Sequence, residues 1–167
     1  MNTLLHGTRG HPLHPPLTDA AIGMYTLAAA LGVVGALGWI DESAAGKGMW
    51  LALVGGLVMG ALAAVAGLLD LLTIDRASPA FRTAILHMSA MVTATVLFLV
   101  AAVVQHGGYE DGTVTGWGLA LTLVAFGALT LGGWLGGSLV FQHGLRVEDA
   151  SVPAPGTEPP PGGAHRV

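Results

Sequence analysis

The residues suited to chemistry are few and far apart in the chain. The stretch GHPLHPPLTDAAIG, residues 10 to 23, sets two imidazoles, His11 and His14, and one carboxylate, Asp19, before a long apolar run. Asp70 interrupts GLLDLL, His87 interrupts AILHMSAMV, and His143 follows the apolar stretch ending in SLVFQ. Carboxylates and imidazoles together suit a divalent ion such as Zn, Fe or Mn, and a pair of imidazoles suits a haem iron. The candidate metal ligands are therefore His11, His14, Asp19, Asp70 and His87, and the candidate haem ligands His14, His87 and His143. With zero cysteines, disulfides, thiolate metal sites and cysteine-ligated iron–sulfur clusters are excluded.

Local geometry qualifies each candidate. His11 and His14 both precede prolines, which favours extended or polyproline backbone and sets them about 9 Å apart on one side, wide for a chelate. Pro15 and Pro16 suit the start of a helix, with Asp19 in or near its first turn, where the macrodipole favours a carboxylate without any ligand. Asp70 falls near the end of the second apolar segment, where the dipole disfavours negative charge, so it needs a partner such as Arg82 or His87. His87 lies five residues, about 7.5 Å, beyond Arg82 into the third segment.

The elements that must position these groups are membrane helices. Of 167 residues, 53% are hydrophobic and 10% charged, and the mean hydropathy of +0.69 is too high for a soluble domain of this size. Four segments, 17–40, 49–72, 83–104 and 117–142, are long enough to span a hydrocarbon core. They predict an all-α, antiparallel up-down bundle occupying 17–146. A His/Pro-rich segment, 1–16, precedes it, and a Pro/Gly-rich tail without periodicity, 147–167, follows and reads as disordered. The first span is expected to remain, because nothing before it reads as a cleavable leader. Arg9, Arg76, Arg82, Arg146 and Arg166 share one side and Lys47 the other, which predicts cytoplasmic termini in a bacterial inner membrane. The net charge of −4 without a basic cluster argues against a nucleic-acid partner.

Small residues mark the faces on which membrane helices approach closely. Gly56, Gly60, Ala63, Gly67 and Asp70 form one such stripe; Asp19, Gly23, Thr26 and Ala30 a second; His87, Ala90, Ala94 and Ala101 a third; Gly132, Gly136 and His143 a fourth. In antiparallel order these stripes carry Asp19, Asp70 and His87 to the same edge, with Ser138 at similar depth and His14 and His143 a step nearer water. His106 falls at the opposite edge and reads as a loop residue. Ser78 followed by Pro79 reads as an N-cap and first helical residue, and DESAAGKG and HGGYEDGTVTG read as short connections.

HPLHPPLTDAAIG, the aspartate of AGLLD, the histidine of ILHMSA and GGSLVFQHGLRV together resemble the bacterial membrane proteins of domain-of-unknown-function family 2231, over roughly residues 10 to 147. The resemblance implies a compact four-span unit, sometimes joined in one chain to a Rieske-type domain, and so points to electron transfer. The positions it carries over are His11, His14, Asp19, Asp70, His87 and His143. Ser138 stands where relatives are expected to have His or Glu, which weakens a ligand role for the fourth helix.

Three readings follow. The first is a non-catalytic membrane module whose His/Asp cluster binds a metal or haem and serves a Rieske-type or other redox partner. The second is a structural or assembly subunit in which the cluster only clamps the bundle, since buried polar groups need partners whatever their function. The third is a proton- or ion-translocating component, disfavoured because the middle and outer depths offer only threonines. No nucleophile motif or phosphate loop is present, so the balance is against an enzyme. Pairs such as Gly56 and Gly60 serve packing within the bundle as readily as a homo-oligomer.

Overall fold

The computed structural model describes residues 13–145. They form four antiparallel helices and no strands: α1 (His14–Ala36), α2 (Glu42–Leu71), α3 (Pro79–Asp111) and α4 (Gly116–Phe141). Each is long and apolar enough to cross a membrane. The 30 residues of α2 and 33 of α3 extend to about 45–50 Å, past a hydrocarbon core of about 30 Å. His11, Arg9 and the tail 147–167 lie outside the described residues.

Helix ends follow local chemistry. Asp41 caps α2 by accepting from the Ala44 N–H at 2.8 Å. Ser78 and Thr115 cap α3 and α4 in the same way, accepting from Phe81 and Gly118. Gly38 and Gly112, at φ 69° and 68°, turn the chain out of α1 and α3 in the left-handed conformation that a side chain would disfavour.

Three expected boundaries move. DESAAGKG is not a connection: its caps start α2 at Glu42, seven residues before the apolar span, because helix propensity and capping extend past the lipid. Likewise α3 runs on through HGGYED, so His106 is helical rather than a loop residue. At the start of α1, His14 is helical, not extended. Leu13 at φ −79°, ψ −27° is already in helical geometry, and Pro15 and Pro16 occupy a first turn whose N–H groups have no intrahelical acceptor to lose.

The helices pair as two close hairpins, α1 with α2 and α3 with α4. The hairpins meet mainly through α2 and α3, and more sparsely through α1 and α4. They are two versions of one design. The step in numbering from His14 to His87 also carries Ala21 to Ala94, Tyr25 to Phe98, Ala28 to Ala101, Gly32 to Gln105 and Gly35 to Gly108. From Ala21 onward both members of each pair are buried. A second constant step carries Met49, Leu53, Gly56 and Ala63 of α2 to Gly118, Thr122, Ala125 and Gly132 of α4, again all buried. Tyr25 and Phe98 stack across the bundle with centroids 3.7 Å apart and planes 3° from parallel.

The stripes on α2, α3 and α4 do face neighbours. A Cβ on Gly56 would meet the Tyr25 ring at 2.5 Å, and one on Gly132 the Met91 sulfur at 2.6 Å. On α1 the stripe expectation fails: Asp19, Gly23, Thr26 and Ala30 are all exposed. The buried face is Ala21, Tyr25, Ala28 and Gly32. Burial of the large Tyr25 ring fixes the rotation of α1, and small residues on its far side have no say in it.

Candidate functional site

At the end of the bundle where α1 and α3 begin, His14 and His87 face one another from diagonal helices. Their ring centroids are 6.4 Å apart and their planes 88° from parallel. Both rings are half-buried. Each is held by the other helix of its own hairpin: His14 Nδ1 lies 2.8 Å from the Ala63 carbonyl on α2, and His87 Nδ1 lies 2.8 Å from the Gly132 carbonyl on α4. A carbonyl only accepts, so Nδ1 carries the proton in both rings, and the neutral form keeps its lone pair on Nε2.

Glycine makes these anchors possible. One turn beyond each accepting carbonyl stand Gly67 and Gly136, and the rings lie against them. A Cβ at Gly67 would sit 2.8 Å from His14 Cε1, 3.0 Å from Nδ1 and 3.5 Å from Nε2; one at Gly136 would sit 3.1, 3.3 and 3.9 Å from the same atoms of His87. In both rings the Nδ1–Cε1 edge faces the anchoring helix and Nε2 is turned off it. Among the described residues neither Nε2 meets a hydrogen-bond partner. Tying Nδ1 to a backbone carbonyl is how metal-binding histidines are oriented and their Nε2 made more basic.

The other expected site residues are placed differently. Asp19 is exposed, five residues and about 140° round α1 from His14. It lies in the second helical turn, since α1 begins at His14, so a first-turn dipole role falls away as well. Asp70 is half-buried in the last turn of α2. His143, just past α4, shares a 3.1 Å hydrogen bond through Nε2 with Thr83 Oγ1 on α3, so it ties α4 to α3. Ser138 donates back to the Trp134 carbonyl at 3.2 Å. Among the described residues no group of three or more His, Asp or Glu side chains gathers in a way that could hold a metal ion. The structure thus brings together two of the expected residues, His14 and His87.

The opposite end holds a residue the sequence reading passed over. Gln105 is fully buried. Its amide nitrogen donates to the Thr113 carbonyl at 2.8 Å and reaches the Gly46 carbonyl at 3.4 Å, while Oε1 accepts from the Thr115 N–H at 3.0 Å and its hydroxyl at 2.9 Å. It joins the α3–α4 turn to the start of α2. Its sequence signal is the step that pairs it with Gly32: a large polar residue stands where the other repeat has none. Nearby, His106 packs against Trp50 and Tyr109, with Nδ1 4.0 Å from Glu110.

Residues 10–149 match the family described as "Predicted membrane protein (DUF2231)". No curated protein and no solved structure matches the chain. The chain belongs to that family of predicted membrane proteins, and its four apolar helices fit a four-span member.

Proposed function

We propose that this member of the family is a non-catalytic membrane module that holds a metal centre, as an ion or as haem iron, between His14 and His87 and serves a membrane redox partner. One observation carries the reading: two imidazoles from separate repeats face each other at 6.4 Å, each with Nδ1 committed to a carbonyl. A pair that only clamped the bundle would need no free Nε2, whereas a metal ligand needs an oriented ring with that nitrogen open. The excess of arginine on the side of both termini supports a cytoplasmic edge for this pair, in a bacterial inner membrane.

Elemental analysis of the full chain, purified in detergent from cells supplied with iron, copper, zinc and a haem precursor, tests this. The expected result is about one metal atom per chain in the parent, falling to background in His14→Ala and in His87→Ala, with helical content by circular dichroism unchanged. Metal at background in the folded parent would overturn the reading. A second reading, an assembly subunit whose polar groups only clamp, is favoured by the Thr83–His143 bond and by Gln105. It predicts that same background result, together with a fall in melting temperature for both histidine variants.

A further inference from the structure

We infer that the centre at His14 and His87 is an iron porphyrin, seated in the seam between the two hairpins with one imidazole on each face. The inference rests on the metal-centre reading above and specifies its chemical class.

The donor set comes first. Zinc in structural sites takes four protein ligands, and Fe and Mn ions take more from carboxylate, imidazole and water. The structure offers two imidazole nitrogens and, among the described residues, no third His, Asp or Glu grouped with them. A metal held by these two alone would bring most of its own ligands, as haem iron does with four porphyrin nitrogens, leaving two axial positions for protein.

The separation of the rings agrees. With metal–nitrogen bonds of about 2.0–2.1 Å and about 1.1 Å from nitrogen to ring centre, imidazoles on opposite sides of one metal have centroids about 6.3 Å apart; tetrahedral placement brings them to about 5 Å. The observed 6.4 Å matches the separation of the opposed arrangement. Planes 88° apart are free to occur there, because each ring is oriented by its own carbonyl rather than by the other ring.

The fold supplies the seam. His14 is anchored within one hairpin and His87 within the other, so a plane between the rings is the plane between hairpins, where the bundle is most sparsely joined on the α1–α4 side. Between the histidines and the Tyr25–Phe98 stack lie three turns, about 16 Å of axis. The buried residues facing that length from α1 and α3 are Ala21 and Ala94. Met91, long and adaptable, lies against Gly132.

The test is reconstitution of the full chain with hemin, followed by oxidised and reduced visible spectra. The expected result is one haem per chain with a low-spin, six-coordinate spectrum. His14→Ala and His87→Ala are each expected to lower haem per chain about tenfold or more, or to turn it five-coordinate, and added imidazole is expected to restore the six-coordinate spectrum. Imidazole would not repair a merely structural loss. A spectrum unchanged in both variants would overturn the proposal. Binding of one cuprous ion but no haem would overturn it as well, yet leave the metal-centre reading standing, because two opposed nitrogens also satisfy a linear ion. Binding of neither hemin nor any metal by the folded chain would overturn both.

Discussion

The two ends of the bundle handle inward polar groups in opposite ways. Gln105, at the end with the α3–α4 turn, uses both ends of its amide, and its partners are the Thr113 carbonyl, the Thr115 N–H and the Thr115 hydroxyl. His14 and His87, at the other end, use one nitrogen each and turn the other off the anchoring helix. Apolar surroundings penalise an unpaired polar atom. A fully paired residue is therefore explained by the fold alone, and the two half-paired residues are where the proposed centre would be held.

Variants can break this contrast. The largest effect is expected at the glycines behind the histidines. In Gly67→Val the new side chain starts 2.8 Å from His14 Cε1, so the ring must leave its carbonyl, and affinity for the bound centre is expected to fall about 10–100-fold by titration. Gly136→Val presses on His87 through a looser 3.1 Å contact and is expected to lose less. Equal retention in both would show that the anchors do not orient the rings.

On stability rather than binding, Gln105→Leu strands the Thr115 N–H and the Thr113 carbonyl and is expected to cost about 2–3 kcal/mol in detergent unfolding, with ligand binding unchanged. Lost binding without lost stability would reverse the roles assigned to the two ends. Gly56→Ala, which sets a methyl 2.5 Å from the Tyr25 ring, is expected to cost about 1–2 kcal/mol by the same assay. The smallest effect belongs to Tyr25→Phe. The Tyr25 hydroxyl is buried without a partner among the described residues, and its counterpart in the other repeat is Phe98. Removing it is expected to raise stability by about 1 kcal/mol. A loss instead would sharpen the account, because the hydroxyl would then be meeting a ligand that reaches three turns into the bundle.

Much of this fold is legible in the sequence, because a bilayer leaves the backbone few choices and apolar length then counts the helices. Helix ends are less so: Asp41 and the HGGYED stretch extend α2 and α3 beyond the lipid, where hydropathy carries no signal. The stripes on α2 and α3 predict contact faces because Gly56 and Ala94 admit close approach. The stripe with Asp19 on α1 does not, since a single large ring, Tyr25, outweighs the small residues Gly23, Thr26 and Ala30 in setting rotation. At the candidate site, titratable side chains and a shared edge are readable, and the pairing is not. That pairing is encoded in the constant step between repeats, which small-residue composition blurs and which only burial makes plain. Hydrogen bonds to Ala63 and Gly132 carbonyls leave no mark on residue type at all.

The central claim, that His14 and His87 meet inside one chain, is most directly tested by cross-linking. The sequence has no cysteine, so His14→Cys/His87→Cys carries the only two thiols. A short dimaleimide is predicted to bridge them within a monomeric chain, adding one reagent per chain by intact mass. The control pair His14→Cys/His106→Cys, at opposite ends of the bundle, should add two. Two reagents on the first pair, or bridging only between chains, would contradict the account.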